Sequence, residues 1–248
     1  MNKFQHCDKM NARPLMCLII GATGCGKTHL LFEMLTADNI LDFEKLVIYT
    51  TTCHQPYFKF LLHGFENNLK KSSINALFKI YTEDNGFNLN INEIEELCNE
   101  AARTPGHVDK NKRIDITLTE EITDLDELKN NKSKTLIVFD DCVTNKQQDF
   151  QRDIFTKGRH NNCCCIYLTQ SFYGLDRHFI RKNANVFILF SQTQRSLDCI
   201  LRDIDIGITS DEFKKLASNQ WYDPEEFKYI LINTRKKRDE RCYTSIFF

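Results

Sequence analysis

Glycine and proline are scarce in this chain, nine and four of 248 residues, which excludes collagen-like repeats and proline-rich linkers. No apolar run approaches the roughly 18 residues that a membrane-spanning helix needs. The opening stretch, MNKFQHCDKMNARP, lacks the apolar centre of a secretory signal, so the chain is expected to stay inside a cell. The sequence has eleven cysteines but no C-x-x-C pair. Cys163, Cys164 and Cys165 are adjacent, and an extended chain cannot turn all three to one side, so a structural zinc is not expected. With no secretory signal, the cysteines read as small buried apolar side chains rather than a disulfide framework. What remains is 42% hydrophobic and 27% charged, ordinary for a globular protein. The length suits a single α/β domain over residues 1–248, with a polar lead-in at 1–13 and a C-terminal extension at 191–248.

Neither sign of charge dominates, with 33 basic against 34 acidic residues, but the charges are unevenly spread. Residues 93–127 hold eleven acids and four bases. Residues 143–182 hold seven bases and three acids, and the run Arg235-Lys236-Lys237-Arg238-Asp239-Glu240-Arg241 holds five cations. A near-neutral protein can own a basic face, although each run also reads as solvated surface.

Short apolar runs recur at Met16–Ile20, Leu46–Thr50, Leu77–Tyr81, Leu136–Phe139, Cys164–Leu168 and Val186–Phe190. Such runs, nearly continuous in apolar character, predict strands buried on both faces of a parallel sheet. Between them, Thr28–Leu35 sets Leu30, Leu31, Met34 and Leu35 on one helical face, and Ile91–Ala102 repeats Ile94, Leu97, Cys98 and Ala101. Alternation of this kind predicts a doubly wound α/β sheet with right-handed crossovers. Tyr229–Ile232 and Tyr243–Phe247 are expected to pair as a hairpin around the basic run. Residues 103–134, polar and acidic, read as an insertion or a peripheral helix.

The most informative string is Gly21-Ala22-Thr23-Gly24-Cys25-Gly26-Lys27-Thr28, which fits G-x-x-x-x-G-K-[ST] between an apolar strand and a helix. In that setting backbone N–H groups curl around phosphate oxygens and the helix N-terminus adds positive potential. Lys27 is expected to reach the β- and γ-phosphates and the Thr28 hydroxyl to ligate Mg²⁺. The strand TLIVF ends in Asp140 and Asp141, and unpaired buried carboxylates need a reason. A strand beside the phosphate loop supplies one, with Asp140 toward Mg²⁺ and Asp141 orienting the attacking water. A further strand, CCIYLT, ends in Gln170, which reads as a γ-phosphate sensor or simply as the exit into a loop. Ahead of it stands Arg159. An arginine there lies at the far end of the sheet from its own nucleotide, so it reads either as a surface residue or as a finger for a neighbouring subunit. Arg152, Arg177 and Arg181 are weaker candidates for that role.

The ordered strings GATGCGKT, TLIVFDD, GRHNNCCCIYLTQSFYGL and IRKNANVFILF resemble the FtsK–HerA superfamily of P-loop ATPases. Within it, the chain is similar to the poxvirus-type DNA-packaging ATPases of large DNA viruses, virophages and Polinton/Maverick elements. The resemblance covers about residues 14–190 and continues more weakly in the tail. It implies a RecA-like core, a mostly parallel sheet flanked by helices, with the sensor strand between the P-loop and Asp strands and a C-terminal β-hairpin-like extension. It also implies ATP and Mg²⁺ as cofactors, ATP hydrolysis coupled to translocation of double-stranded DNA, and a homo-oligomeric ring of five or six subunits. Capsid or portal-vertex proteins are the implied partners, with no small-molecule substrate besides ATP. The implied location is the host-cell cytoplasm or virus factory, with virion association. By position, Gly21 to Thr28 bind nucleotide, Asp140 is the second metal ligand, Asp141 stands where the catalytic acid usually sits, Gln170 is the sensor and Arg159 the arginine ahead of it. Related ATPases often carry Glu at the Asp141 position.

A translocating ring needs non-specific phosphate contacts. The loop region after the second strand, with Lys59, Lys70 and Lys71, is the first candidate, and Arg235, Lys236, Lys237 and Arg238 are the second. Two other functions fit parts of the pattern. A P-loop kinase of a small substrate would share the phosphate loop, but the long gap from Lys27 to Asp140 and the Gln170 strand argue against it. A virion assembly protein that binds ATP without significant turnover stays open through Asp141.

Overall fold

The computed structural model describes residues 4–86, 90–121, 132–142, 148–223 and 228–244, apart from the side chains of Asp84, Asn85 and Arg159. The strands are β1 (Met16–Ile20), β2 (Lys45–Thr50), β3 (Asp115–Thr119), β4 (Thr135–Asp140), β5 (Cys163–Thr169), β6 (Val186–Leu189), β7 (Ile230–Asn233) and β8 (Cys242–Tyr243). They form one sheet in the order β3-β2-β4-β5-β1-β6-β7-β8. The first six in that order are parallel and the last two antiparallel. Strand β5, which leads to Gln170, therefore lies between β1 and β4, as the resemblance implied.

Helices α1 (Lys27–Thr36), α2 (Pro56–Glu66), α3 (Lys71–Asn85) and α4 (Ile91–Arg103) cover one face of the sheet. Helices α5 (Gln148–Lys157), α6 (Gln194–Asp203) and α7 (Ser210–Gln220) cover the other. The two-residue period of a strand splits each apolar run between the two layers. Cys17 and Ile19 meet α1, whereas Met16, Leu18 and Ile20 face the opposite core. Cys164 likewise joins the first core and Cys163 and Cys165 the second, and every cysteine is a free thiol.

Three expectations are corrected. Leu77–Tyr81 is not a strand but the middle of α3, where Ile74, Phe78 and Tyr81 are buried while Ile80 is 56% exposed. That pattern has the helical period, which a five-residue window hides. The polar stretch 103–134 contributes edge strand β3, paired in parallel with β2 from Asp115 opposite Lys45 to Thr119 opposite Tyr49. Its exposed face keeps its composition polar, which is how an edge strand avoids further pairing. Within the polar lead-in, residues 4–13 are packed: Phe4, Met10 and Ala12 are buried, and the Cys7 N–H donates to the Ile40 carbonyl at 3.0 Å.

The tail hairpin is present as β7 and β8, with Leu231 opposite Tyr243 and Ile232 opposite Cys242, and it extends the sheet beyond β6. Residues 245–248 lie outside the described residues. Parallel register levels the strand ends. Ile20 pairs with Thr169 and Leu189, and Asp140 pairs with Thr50 and Leu168. One edge of the sheet thus gathers the residues that follow these five strands.

Candidate nucleotide site

The phosphate loop turns from β1 into α1 through two residues in the left-handed region, Gly24 at φ +79° and Gly26 at φ +92°. Gly26 is the N-cap of α1, so the first N–H groups of the helix, those of Lys27 and Thr28 among them, have no intrahelical acceptor. A Cβ on Gly21 would come within 2.5 Å of Cys25 Sγ and 2.7 Å of Phe190 Cβ, so the loop closes tightly over the end of β6. The buried Lys27 ammonium donates to the carbonyls of Gly21 at 2.8 Å and Ala22 at 2.9 Å. Thr28 is half-buried, and its hydroxyl has no protein partner among the described residues.

Asp140 closes β4 and is buried. Thr50 Oγ1 donates to its Oδ2 at 2.9 Å and lies 3.0 Å from Thr52 Oγ1. Burial pushes the Asp140 carboxyl above the usual carboxylate range and Asp141 adds repulsion, while the Thr50 hydrogen bond and Lys27 pull the other way. Asp140 offers a buried carboxylate and Thr28 an unpartnered hydroxyl, both hard-oxygen donors of the kind Mg²⁺ takes. Thr28 and Asp140 therefore fit that ion. Thr50 and Thr52 went unnoticed in the sequence, although the Thr50-Thr51-Thr52 run at the end of an expected strand was a readable signal.

Asp141 is exposed and holds φ +54°, one of three non-glycine residues at positive φ among the described residues. Asp tolerates that region better than most residues but still stores strain there, and such strain gathers at functional sites. Its N–H donates to the Leu168 carbonyl at 3.3 Å, and Gln170 Nε2 donates to its Oδ2 at 2.5 Å. The Gly21 N–H in turn donates to the Thr169 carbonyl at 3.2 Å. The end of β5 is thus joined on one side to the phosphate loop and on the other to Asp141.

Two cavities flank the loop. One, of about 480 Å³, is walled by Gly24, Gly26, Lys27, Thr28, His29, Gln55 and Tyr57. The other, of about 540 Å³, touches Ala22, Gln170, Tyr173, Gln192 and Arg195.

The remaining candidates lie elsewhere. Arg159 falls in the short 3-10 turn Gly158–Asn161 just before β5, at the opposite end of the sheet from the phosphate loop, and its side chain is outside the described residues. Arg152 pairs with Asp149 at 2.7 Å and Asp176 at 3.1 Å, and Arg177 and Arg181 pair with Asp203 at 3.3 and 3.0 Å. Lys59 is half-buried on α2 and Lys70 is exposed ahead of α3. Lys71 is corrected as a surface cation. It is buried, its Nζ donates to the Leu41 carbonyl at 2.7 Å and lies 4.3 Å from the Phe43 ring centre, and burial, with Lys112 nearby, pulls its pKa down to about 8. In the hairpin turn, Lys236 pairs with Asp8 at 2.5 Å and Arg238 with Asp205 at 3.2 Å, while Arg235 and Lys237 are exposed. Because β7 runs antiparallel to β6, with Asn233 opposite Val186, this turn lies at the same end of the sheet as Arg159. The two proposed DNA-contact sets are not brought together, since Lys70 sits near the entry to β2 and the turn lies beyond β6 on the other flank.

No family model and no curated protein matches the chain. Solved structures do match. The genome packaging NTPase B204 from Sulfolobus turreted icosahedral virus 2, in complex with AMP, is 12% identical over 95% of this chain and 98% of that one, with a TM-score of 0.52. The same protein with sulfate gives 13% identity over 94% and 96% of the two chains and a TM-score of 0.51. Its complex with AMPPCP gives 12% over 94% and 97%, also with a TM-score of 0.51. The fold is that of a RecA-like P-loop ATPase. At this identity the similarity speaks for the fold, and function must be argued from the site.

Proposed function

We propose that this chain is an ATPase of the FtsK–HerA type, similar to the poxvirus-type packaging ATPases, that drives double-stranded DNA into a viral or virus-like capsid. The observation that carries the reading is the convergence, at one sheet edge, of the phosphate loop, the buried Asp140 and the Asp141–Gln170 pair at the end of an inserted strand. Genome packaging by the similarly folded B204 supports it.

Lys27 exchanges its loop carbonyls for the β- and γ-phosphate oxygens, and the free N–H groups of the loop hold the chain of phosphates. Thr28 and Asp140 would hold Mg²⁺, which when bound neutralises charge on the β- and γ-phosphates. Asp141, one methylene shorter than the usual Glu, accepts a hydrogen bond from the attacking water and aims it in line with the γ-phosphorus. Gln170, bonded to Asp141, changes partner when the γ-phosphate leaves and passes the change along β5 to the far end of the sheet. There Arg159 serves the nucleotide of the adjoining subunit in a head-to-tail ring of five or six copies. Lys59, Lys70, Arg235 and Lys237 contact DNA phosphates without reading sequence. Capsid or portal-vertex proteins recruit the ring in the host cytoplasm or virus factory.

The test is steady-state ATP hydrolysis with and without long double-stranded DNA, beside Lys27→Ala. DNA-stimulated turnover lost in Lys27→Ala supports the motor. Turnover indifferent to DNA but raised by a small phosphate acceptor points to a kinase. Nucleotide binding with no turnover under either condition points to an assembly protein.

A further inference from the structure

We infer that His29, Gln55 and Tyr57 form the nucleobase site of the bound nucleotide, with the base stacked on Tyr57. The inference rests on the nucleotide reading of the phosphate loop and adds what that loop leaves undetermined, where the nucleoside goes. A triphosphate has a hydrolysed end and a nucleoside end. The hydrolysed end must face the Asp141–Gln170 pair, so the nucleoside end points away from it. Of the two cavities beside the loop, the larger reaches Gln170 and the smaller does not. The smaller, with about 480 Å³ of space, is lined by Gly24, Gly26, Lys27 and Thr28 of the phosphate loop and, outside that loop, by His29, Gln55 and Tyr57.

The chemistry of those last three residues suits a flat heteroaromatic ring. Tyr57 is half-buried and held on its inner side by Phe78, with ring centres 4.8 Å apart and planes at 29°, and by Phe32 at 5.6 Å. A ring fixed in this way is a rigid platform, which lowers the ordering cost of stacking. His29 stands edge-on to it at 6.0 Å and 64°, on the exposed first turn of α1. Gln55 precedes the first residue of α2, and its carboxamide has no protein partner among the described residues. It offers one donor group and one acceptor to the edge of a base, the complement that adenine presents at N7 and N6. The loop expected from the sequence to supply pore cations thus turns its middle toward the nucleotide.

The experiment compares calorimetric binding of ATPγS and of inorganic tripolyphosphate, each with Mg²⁺, to the wild-type chain, Tyr57→Ala, Tyr57→Phe and Gln55→Ala. Loss of one base–aromatic stack is expected to weaken ATPγS about 10- to 100-fold in Tyr57→Ala. Tripolyphosphate binding stays at the wild-type level, and Tyr57→Phe stays close to wild type for both ligands. Gln55→Ala, which removes no buried ring, is expected to weaken ATPγS about 5- to 10-fold and to leave tripolyphosphate unchanged. Equal weakening of both ligands in Tyr57→Ala would mean that the ring merely supports the loop, and no weakening would mean that the base lies elsewhere; either overturns the inference. Failure of the wild-type chain to bind either ligand would instead overturn the nucleotide reading itself.

Discussion

The two ends of the sheet have opposite chemistry. The end reached by the C-termini of the parallel strands carries Thr50, Asp140, Asp141 and Gln170 around a phosphate loop whose lysine is turned inward. The end where those strands begin presents exposed cations, Arg13, Lys132, Lys157, Lys182, Arg235 and Lys237, in the segments that lead into or between strands. Open α/β sheets bind ligands beyond the carboxyl ends of their strands, which is where the proposed nucleotide site lies. At the second, Lys157 pairs with Asp153, Lys236 with Asp8 and Arg238 with Asp205, while Arg235 and Lys237 are exposed. The proposed head-to-tail ring would bring each subunit's Arg159 end toward the next subunit's nucleotide site. Strand β5 spans the two, with the Arg159 turn at its start and Gln170 at its end.

The largest effect is expected at the basic end, far from the subunit's own phosphate loop. Arg159→Ala should lower DNA-stimulated ATP turnover about 10³- to 10⁵-fold, while ATPγS affinity measured on the isolated subunit stays unchanged. Next comes the acidic end. Asp141→Asn should cut kcat about 10²- to 10⁴-fold with little change in nucleotide affinity. Asn also tolerates φ +54°, so its melting temperature should match wild type, whereas Asp141→Ala should lose about 1 kcal/mol more in denaturant titration. A smaller effect, about 10²-fold on kcat, is expected for Gln170→Ala, which removes one donor from the same corner.

The smallest effect on catalysis involves His6, packed at the basic end between Phe4 and Cys164 with its Nδ1 accepting the Asp42 N–H at 3.1 Å. Burial, together with Lys71, Lys134 and Arg13, outweighs Asp42 and lowers its pKa to about 4 from 6.5. The unfolded chain then binds the extra proton first. The stability that His6 contributes as a neutral ring is complete above pH 6.5 and is lost as pH falls to about 4, a loss of roughly 3 kcal/mol. Urea titrations of wild type and His6→Gln across that range should diverge by about this amount, with ATP turnover per folded molecule equal at pH 8.

The phosphate loop and the residues level with it at the strand ends were legible in the sequence, and the surrounding residues much less so. Gly21 to Thr28 form a contiguous motif, and parallel register alone brings Asp140, Asp141 and Gln170 level with it. No contiguous motif marks Tyr57 and Gln55, which meet the phosphate loop only because α2 packs beside α1. Lys71 looked like a surface charge because sequence does not reveal that its stem crosses Phe43 to reach a backbone carbonyl. Lys236 and Arg238 likewise spend their charge on Asp8 and Asp205, partners 228 and 33 residues earlier in the chain. In α3 the apolar cluster of Leu77–Tyr81 fitted either period, and burial of Ile74 and Phe78 with exposure of Ile80 decides for the helix.

The most direct test of the two-ended account mixes Lys27→Ala subunits with Arg159→Ala subunits and measures ATP hydrolysis on long double-stranded DNA. Each variant alone should be silent. The mixture should regain turnover, because a Lys27→Ala subunit still lends Arg159 to a neighbour whose phosphate loop is intact. A mixture as silent as its parts, or an Arg159→Ala chain as active as wild type, would contradict the claim that the basic end of one subunit completes the site of the next.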